Sequence, residues 1–197
     1  MDIVEEIIAL EWEMFTAVPS GKDRPSCQDN RGTFDAMRRT QAAIWPEPLL
    51  RSWLADLRAA KAAGRNLMTE KYLHMMRYTH PEEYAAMRSA LPPVSPRAAA
   101  MVDKLTAAFI DWTAEVERNY PRFRKRGRPL TGNGQAASVE VYLRGELLTW
   151  SEKTLELGTA HVAECLRTNR NLPRENLRHI ARLYGYDSLE AAERALS

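Results

Sequence analysis

The chain has 197 residues, enough for one sizeable core or for a core with a small terminal subdomain. Its 28 Lys and Arg against 26 Asp and Glu leave a formal charge of +2, which excludes any overall electrostatic pull toward nucleic acid or anionic lipid. With 27 Ala and 21 Leu against 8 Val and 6 Ile, and no sustained period-two alternation, the composition predicts an all-α protein.

From Ile3 to Phe15, the residues Val4, Ile7, Ile8, Glu11, Met14 and Phe15 recur at spacings of three and four and define one face of a first helix. Its N-terminus, Met1-Asp2-Ile3-Val4-Glu5-Glu6, lacks the basic and apolar regions of a signal peptide. No run in the chain approaches the ~18 apolar residues that span a bilayer. The expected compartment is therefore the cytoplasm, with no membrane contact. Val18-Pro19 ends the first helix, and a polar loop follows to Asn30. A second helix starts near Thr33 with Phe34, Met37, Gln41 and Ile44 on one face, and ends before Pro46. Pro46 and Pro48 open a third helix, bearing Leu50, Trp53, Leu54 and Leu57, that runs to Gly64.

A fourth helix is predicted from Leu67 to Tyr78, with Asn66 as its N-cap and Met68, Tyr72, Met75 and Met76 facing inward. Pro81 starts a short helix through Met87. Leu91-Pro92-Pro93-Val94-Ser95-Pro96 reads as a linker, followed by a long amphipathic helix carrying Met101, Leu105, Phe109, Trp112 and Val116. The stretch 119–135 holds Pro, Gly and a basic cluster and reads as loop. One helical pattern then runs from Ser138 to about Arg167, with Gly158 as the place for a kink. Asn171 caps a helix to Leu183, and Asp187 with Glu190 forms a capping box for the last one.

The expected architecture is an irregular bundle of about seven to nine helices in one globular domain. It divides into a helical core, 1–168, with an internal linker at 91–96 and a basic loop at 119–135. A C-terminal helical pair, 169–197, packs on that core.

Glu11 is the most informative polar residue, because Ile7, Ile8, Met14 and Phe15 surround it on the inward face. A buried carboxylate must be neutralised, hydrogen-bonded or ion-paired. It is either a site carboxylate, acting as base or cation ligand, or one half of a structural pair with an Arg of a neighbouring helix. Arg65, Asn66, Thr69, Glu70 and Tyr72 form a second polar cluster, and Glu140 and Glu146 a third beside Tyr142 and Trp150.

No Glu-x-x-His pair occurs, as a di-metal carboxylate bundle requires, and the four-residue spacings of Glu70 with His74 and of His161 with Cys165 equally describe contacts on a helix face. No metal is expected. No cofactor is expected either, since the chain has neither a Walker-type loop nor Gly-x-Gly-x-x-Gly. Cys27 precedes a predicted helix start, where a thiol pKa falls, but the same residue equally serves as loop packing. Neither Cys27 nor Cys165 belongs to a Cys-x-x-Cys pair, and thiols in a reducing compartment are expected. Arg124-Lys125-Arg126-Gly127-Arg128-Pro129 contains Arg-Gly-Arg-Pro, similar to the core of a minor-groove AT-hook. It occurs once, in a chain of near-neutral charge, so a solvated loop or a source of arginines for the inward carboxylates is the preferred reading over a nucleic-acid contact.

The motifs Ala9-Leu10-Glu11-Trp12-Glu13-Met14-Phe15, Ser26-Cys27-Gln28-Asp29, Gly64-Arg65-Asn66-Leu67-Met68-Thr69-Glu70-Lys71-Tyr72 and Tyr142-Leu143-Arg144-Gly145-Glu146-Leu147 resemble those of a bacterial family, domain of unknown function 4125. The resemblance spans most of the chain and implies a bacterial cytoplasmic protein of similar length, with no activity attached. Family motifs and residue chemistry coincide at Glu11, Cys27, Gln28, Arg65, Glu70, Tyr72 and Glu146. The resulting expectation is a carboxylate-lined interhelical pocket for a cationic or amine-bearing small molecule. The alternatives are a DNA-binding module using Arg124, Lys125, Arg126 and Arg128, and a structural or protein-interaction bundle without catalysis.

Overall fold

The computed structural model describes residues 2–19, 26–125, 127–131 and 137–196, and of Cys27 the backbone alone. Among these residues there are eleven α-helices and no strand. They are α1 (Ile3–Thr16), α2 (Arg31–Ala42), α3 (Glu47–Ala62), α4 (Leu67–Thr79), α5 (Pro81–Met87), α6 (Pro96–Asn119), α7 (Pro121–Arg124), α8 (Val139–Leu147), α9 (Glu152–Arg167), α10 (Leu172–Leu183) and α11 (Leu189–Ala195). The all-α class stands, with more helices than the seven to nine expected, for two local reasons.

The first reason is a break in the pattern from Ser138 to Arg167. It falls at residues 148–151, with no Gly or Pro, and not at Gly158, which lies inside α9. Tertiary contacts make this break. Trp150 is buried against Trp45 and Trp53. Asp56 of α3 accepts from the Ser151 N–H at 3.0 Å and from the Thr154 hydroxyl at 2.6 Å. Ser151 then caps α9 through the Thr154 N–H.

The second reason is α7, which occupies the start of the stretch read as loop. Its first N–H groups have no partner within so short a helix. The Glu193 carboxylate of α11 satisfies those of Arg122 and Phe123, each at 2.9 Å. The C-terminal cap also differs from expectation: Ser188, and not Asp187, accepts from the Ala191 N–H and opens α11.

The main core gathers Ile7 from α1, Leu49 from α3, Leu105 from α6, Leu155 from α9 and Leu172 from α10. A smaller cluster joins Phe123 of α7 to Ala181, Leu189 and Ala192 of α10 and α11. Residues 91–95 lie outside any helix and lead into α6, whose cap Ser95 also donates to Glu152 of α9. No helix among the described residues is long and apolar enough to cross a membrane.

Helices α4 and α8 approach each other closely. A β-carbon at Gly145 of α8 would stand 2.9 Å from the Lys71 carbonyl and 2.7 Å from the Met75 side chain, both on α4. Glycine here is the condition for α8 to lie against α4, which brings Glu146 within reach of Lys71.

Candidate functional site

Glu11 meets its partner on α2. On the inward face of α1, Ile7, Ile8, Glu11, Met14 and Phe15 are buried and Val4 is half-buried. The Arg38 guanidinium forms a two-pronged pair with Glu11, Nε donating to Oε2 at 2.7 Å and Nη2 to Oε1. The same guanidinium donates to both oxygens of Glu146, at 2.9 Å and 3.2 Å, and to Gln41 Oε1 at 2.6 Å. A guanidinium has five N–H groups, and Arg38 uses every one. Its carbon also lies 5.1 Å from the centroid of the Trp53 ring.

Lys71 completes the group. It is 1% exposed, and its ammonium donates to Glu146 Oε2 at 2.7 Å while sitting 3.6 Å from the centre of the Tyr142 ring. Two carboxylates and two cations thus share one enclosed space with no net charge. Burial pulls Glu11 up toward neutrality, against the pull of Arg38. Burial would raise Glu146 as well, but Arg38 and Lys71 together outweigh it and hold that carboxyl well below the usual range. Lys71 is kept charged in the same way, Glu146 and Tyr142 overcoming the cost of burial.

Sequence reasoning missed Arg38 and Lys71. Lys71 stands four residues after Leu67 and four before Met75, both buried, so the stripe that those residues define runs through it. Of the four residues expected to face inward, Met68 and Met75 are buried, whereas Tyr72 and Met76 are half-buried. The buried residues of α4 are Leu67, Met68, Glu70, Lys71, Leu73, His74 and Met75. The partner of Glu11 comes from α2, and not from the basic run at 122–128.

The other expected site residues divide. Tyr72 lines an aromatic cleft beside the charged group. Glu70 pairs two-pronged with Arg65, at 2.8 Å and 2.7 Å, and Arg65 lies on a different cavity beside Asp56 and Trp150. Gln28 is buried and donates from Nε2 to the Phe15 and Val18 carbonyls, closing the end of α1. The side chain of Cys27 lies outside the described residues. Cys165 is a buried thiol 3.6 Å from His161 Nε2, which also reaches the Ile44 carbonyl at 3.1 Å. Among the described residues, no three His, Cys, Asp or Glu gather as a metal site.

The residues proposed for nucleic acid also scatter. Arg124 is buried, Arg128 lies with its guanidinium 4.7 Å from the Tyr142 ring centre, and Lys125 is exposed. Arg126 lies outside the described residues. Of the four, Arg124 is turned into the protein, while Arg128 is exposed beside Tyr142.

The cleft beside the charged group has a volume of about 530 Å³. Phe15, Phe34, Tyr72 and Tyr142 line it together with Arg38, Gln41 and Arg128. Phe15 and Phe34 stack with ring centres 5.1 Å apart. Ser26, Asn30 and Thr33 add hydroxyl and amide groups at the rim. The expected carboxylate lining is not found among the described residues of this cleft: Glu11 and Glu146 are spent on Arg38 and Lys71, and Glu70 on Arg65.

Fold and site together define an all-α bundle built around a buried, neutral charge quartet that backs an aromatic cleft. The chain belongs to the family described as protein of unknown function (DUF4125), which matches residues 1–194. No curated protein and no solved structure matches the chain.

Proposed function

We propose that this protein binds a small molecule with a flat ring and an acidic or acceptor group in the cleft between α1, α2, α4 and α8. The buried quartet holds the shape of the cleft and takes no part in a reaction. The observation that carries this reading is the complete use of Arg38: all five N–H groups have acceptors, so the guanidinium is a fixed part of the cleft lining. Arg128 is the exposed cation beside the aromatic walls. An aromatic body would gain area against Phe34, Tyr72 and Tyr142, and an acidic group would answer Arg128. An amine would bring a second positive charge beside Arg128, with Glu11 and Glu146 already engaged. The cationic ligand expected from sequence is therefore the disfavoured arm of the test.

Benzoate, indole-3-acetate and benzylamine, titrated while the aromatic side-chain resonances are followed by NMR, distinguish the two. The carboxylates are expected to shift Phe34, Tyr72 and Tyr142, and Thr33→Phe, which fills the cleft, to abolish those shifts. Preferential binding of benzylamine would restore the cationic reading, and no shift from any of the three would remove the cleft as a binding site.

A further inference from the structure

Arg124, the last residue of α7, is a buried cation with no counterion among the described residues. It is 8% exposed, its Nη2 is enclosed with no acceptor, and its side chain makes no ion pair or hydrogen bond among those residues. Glu117 of α6 acts on this charge but forms no ion pair with it among the described residues, and two acids of α11 are committed to other groups. Glu193 holds the N–H groups of Arg122 and Phe123, and Glu190 accepts from the Tyr120 hydroxyl at 2.7 Å. Burial lowers the guanidinium pKa, with Glu117 pulling weakly the other way. An isolated charge in such a place is costly, and proteins otherwise pair it or let it meet a ligand.

The surroundings are shaped for a ligand. Arg124 lies on a cavity of about 380 Å³, walled by Phe123, Leu177, Ile180, Tyr184, Tyr186 and Leu196. That volume falls within the span of small-molecule pockets, and a mostly apolar wall with one charged group is their usual chemistry. Gly127 makes room for the cation. Its N–H closes on the Arg124 carbonyl at 2.9 Å, and a β-carbon at Gly127 would stand 2.4 Å from Arg124 Nη1. The absence of a side chain at Gly127 therefore leaves room for the inward guanidinium of Arg124.

We propose that this cavity is a second binding site, independent of the aromatic cleft, for a small carboxylate with an aliphatic body. The carboxylate pairs with Arg124, and the chain lies along Ile180, Leu177 and Leu196. No bond is made or broken.

Isothermal titration of the full chain with decanoate, decanol and decyltrimethylammonium, each below its micelle concentration, tests it. Decanoate should bind at least about tenfold more tightly than decanol, the worth of one charge-assisted hydrogen-bonded pair, and the ammonium should not bind. Arg124→Met should bring decanoate down to the affinity of decanol while leaving the urea midpoint unchanged or higher. Ile180→Trp, which fills the cavity and keeps the charge, should remove binding of both. Equal affinity for decanoate and decanol, or unchanged decanoate binding in Arg124→Met, overturns the proposal. So does an Arg124→Met chain that fails to fold, since an arginine required for folding is not waiting for a ligand.

Discussion

The two buried arginines of this bundle, Arg38 and Arg124, have opposite surroundings. Arg38 is 5% exposed and Arg124 8%, so both side chains are largely enclosed. Arg38 donates five hydrogen bonds to Glu11, Glu146 and Gln41, and Lys71 balances the remaining charge. Arg124 donates none among the described residues. A saturated charge group is architecture: it ties α1, α2, α4 and α8 in one register, since only one arrangement satisfies every member. An unsaturated one leaves a demand for which the fold provides a cavity and no partner.

The largest way to break this contrast is to remove each arginine in turn. Arg38→Met strands Glu11 and is expected to cost about 3–5 kcal/mol, measured as a fall in the urea midpoint. Arg124→Met is expected to cost nothing by the same measurement. If the two substitutions cost the same, the distinction between architecture and ligand site disappears.

Acid titration sharpens the contrast at the next level. His74, buried on α4 three residues beyond Lys71, is pushed by burial, aided by Arg77, down to about 4. The unfolded chain takes up that proton near 6.5, so stability is full above that pH and is lost as pH falls from about 6.5 toward 4, by about 1–3 kcal/mol. Glu146 is held low by Arg38 and Lys71 against burial, so its contribution persists through that window. It is lost only as pH drops below the ordinary carboxylate value of about 4.3. His74→Gln should flatten the upper limb and leave the lower one. A slope between pH 6.5 and 4 that survives this change would mean another group carries it.

A smaller and more local effect is expected at Gly145. Alanine there forces the Met75 side chain aside and presses on the Lys71 carbonyl, costing about 1–3 kcal/mol. The same variant should weaken the Lys71–Glu146 contact, visible as a change in the Tyr142 ring resonance. An unchanged Tyr142 signal would show that the close approach of α8 to α4 does not set the register of the quartet.

The features legible in the sequence are those whose interactions are local. The inward face of α1, the Asn66 and Asn171 caps and the proline-started helices depend on residues within one or two turns, and they appear where the pattern puts them. That Glu11 must find a partner also followed from its apolar neighbours. Which residue answers it did not follow, because Arg38 is 27 positions away and Glu146 a further 108 beyond Arg38. Similarly, the break after α8 has no breaker residue. It exists because Asp56 and the pocket for Trp150 come from helices distant in sequence.

By itself, then, the sequence determined that the chain is helical and that one of its helices turns a carboxylate inward, because backbone propensity, capping and periodicity act over a few residues. Only the tertiary structure decided that the carboxylates are spent on Arg38, Arg65 and Lys71, that the cleft is aromatic, and that Arg124 is enclosed with no partner among the described residues. Those outcomes rest on which charges meet across helix interfaces, and burial makes each meeting too strong to leave to local chemistry.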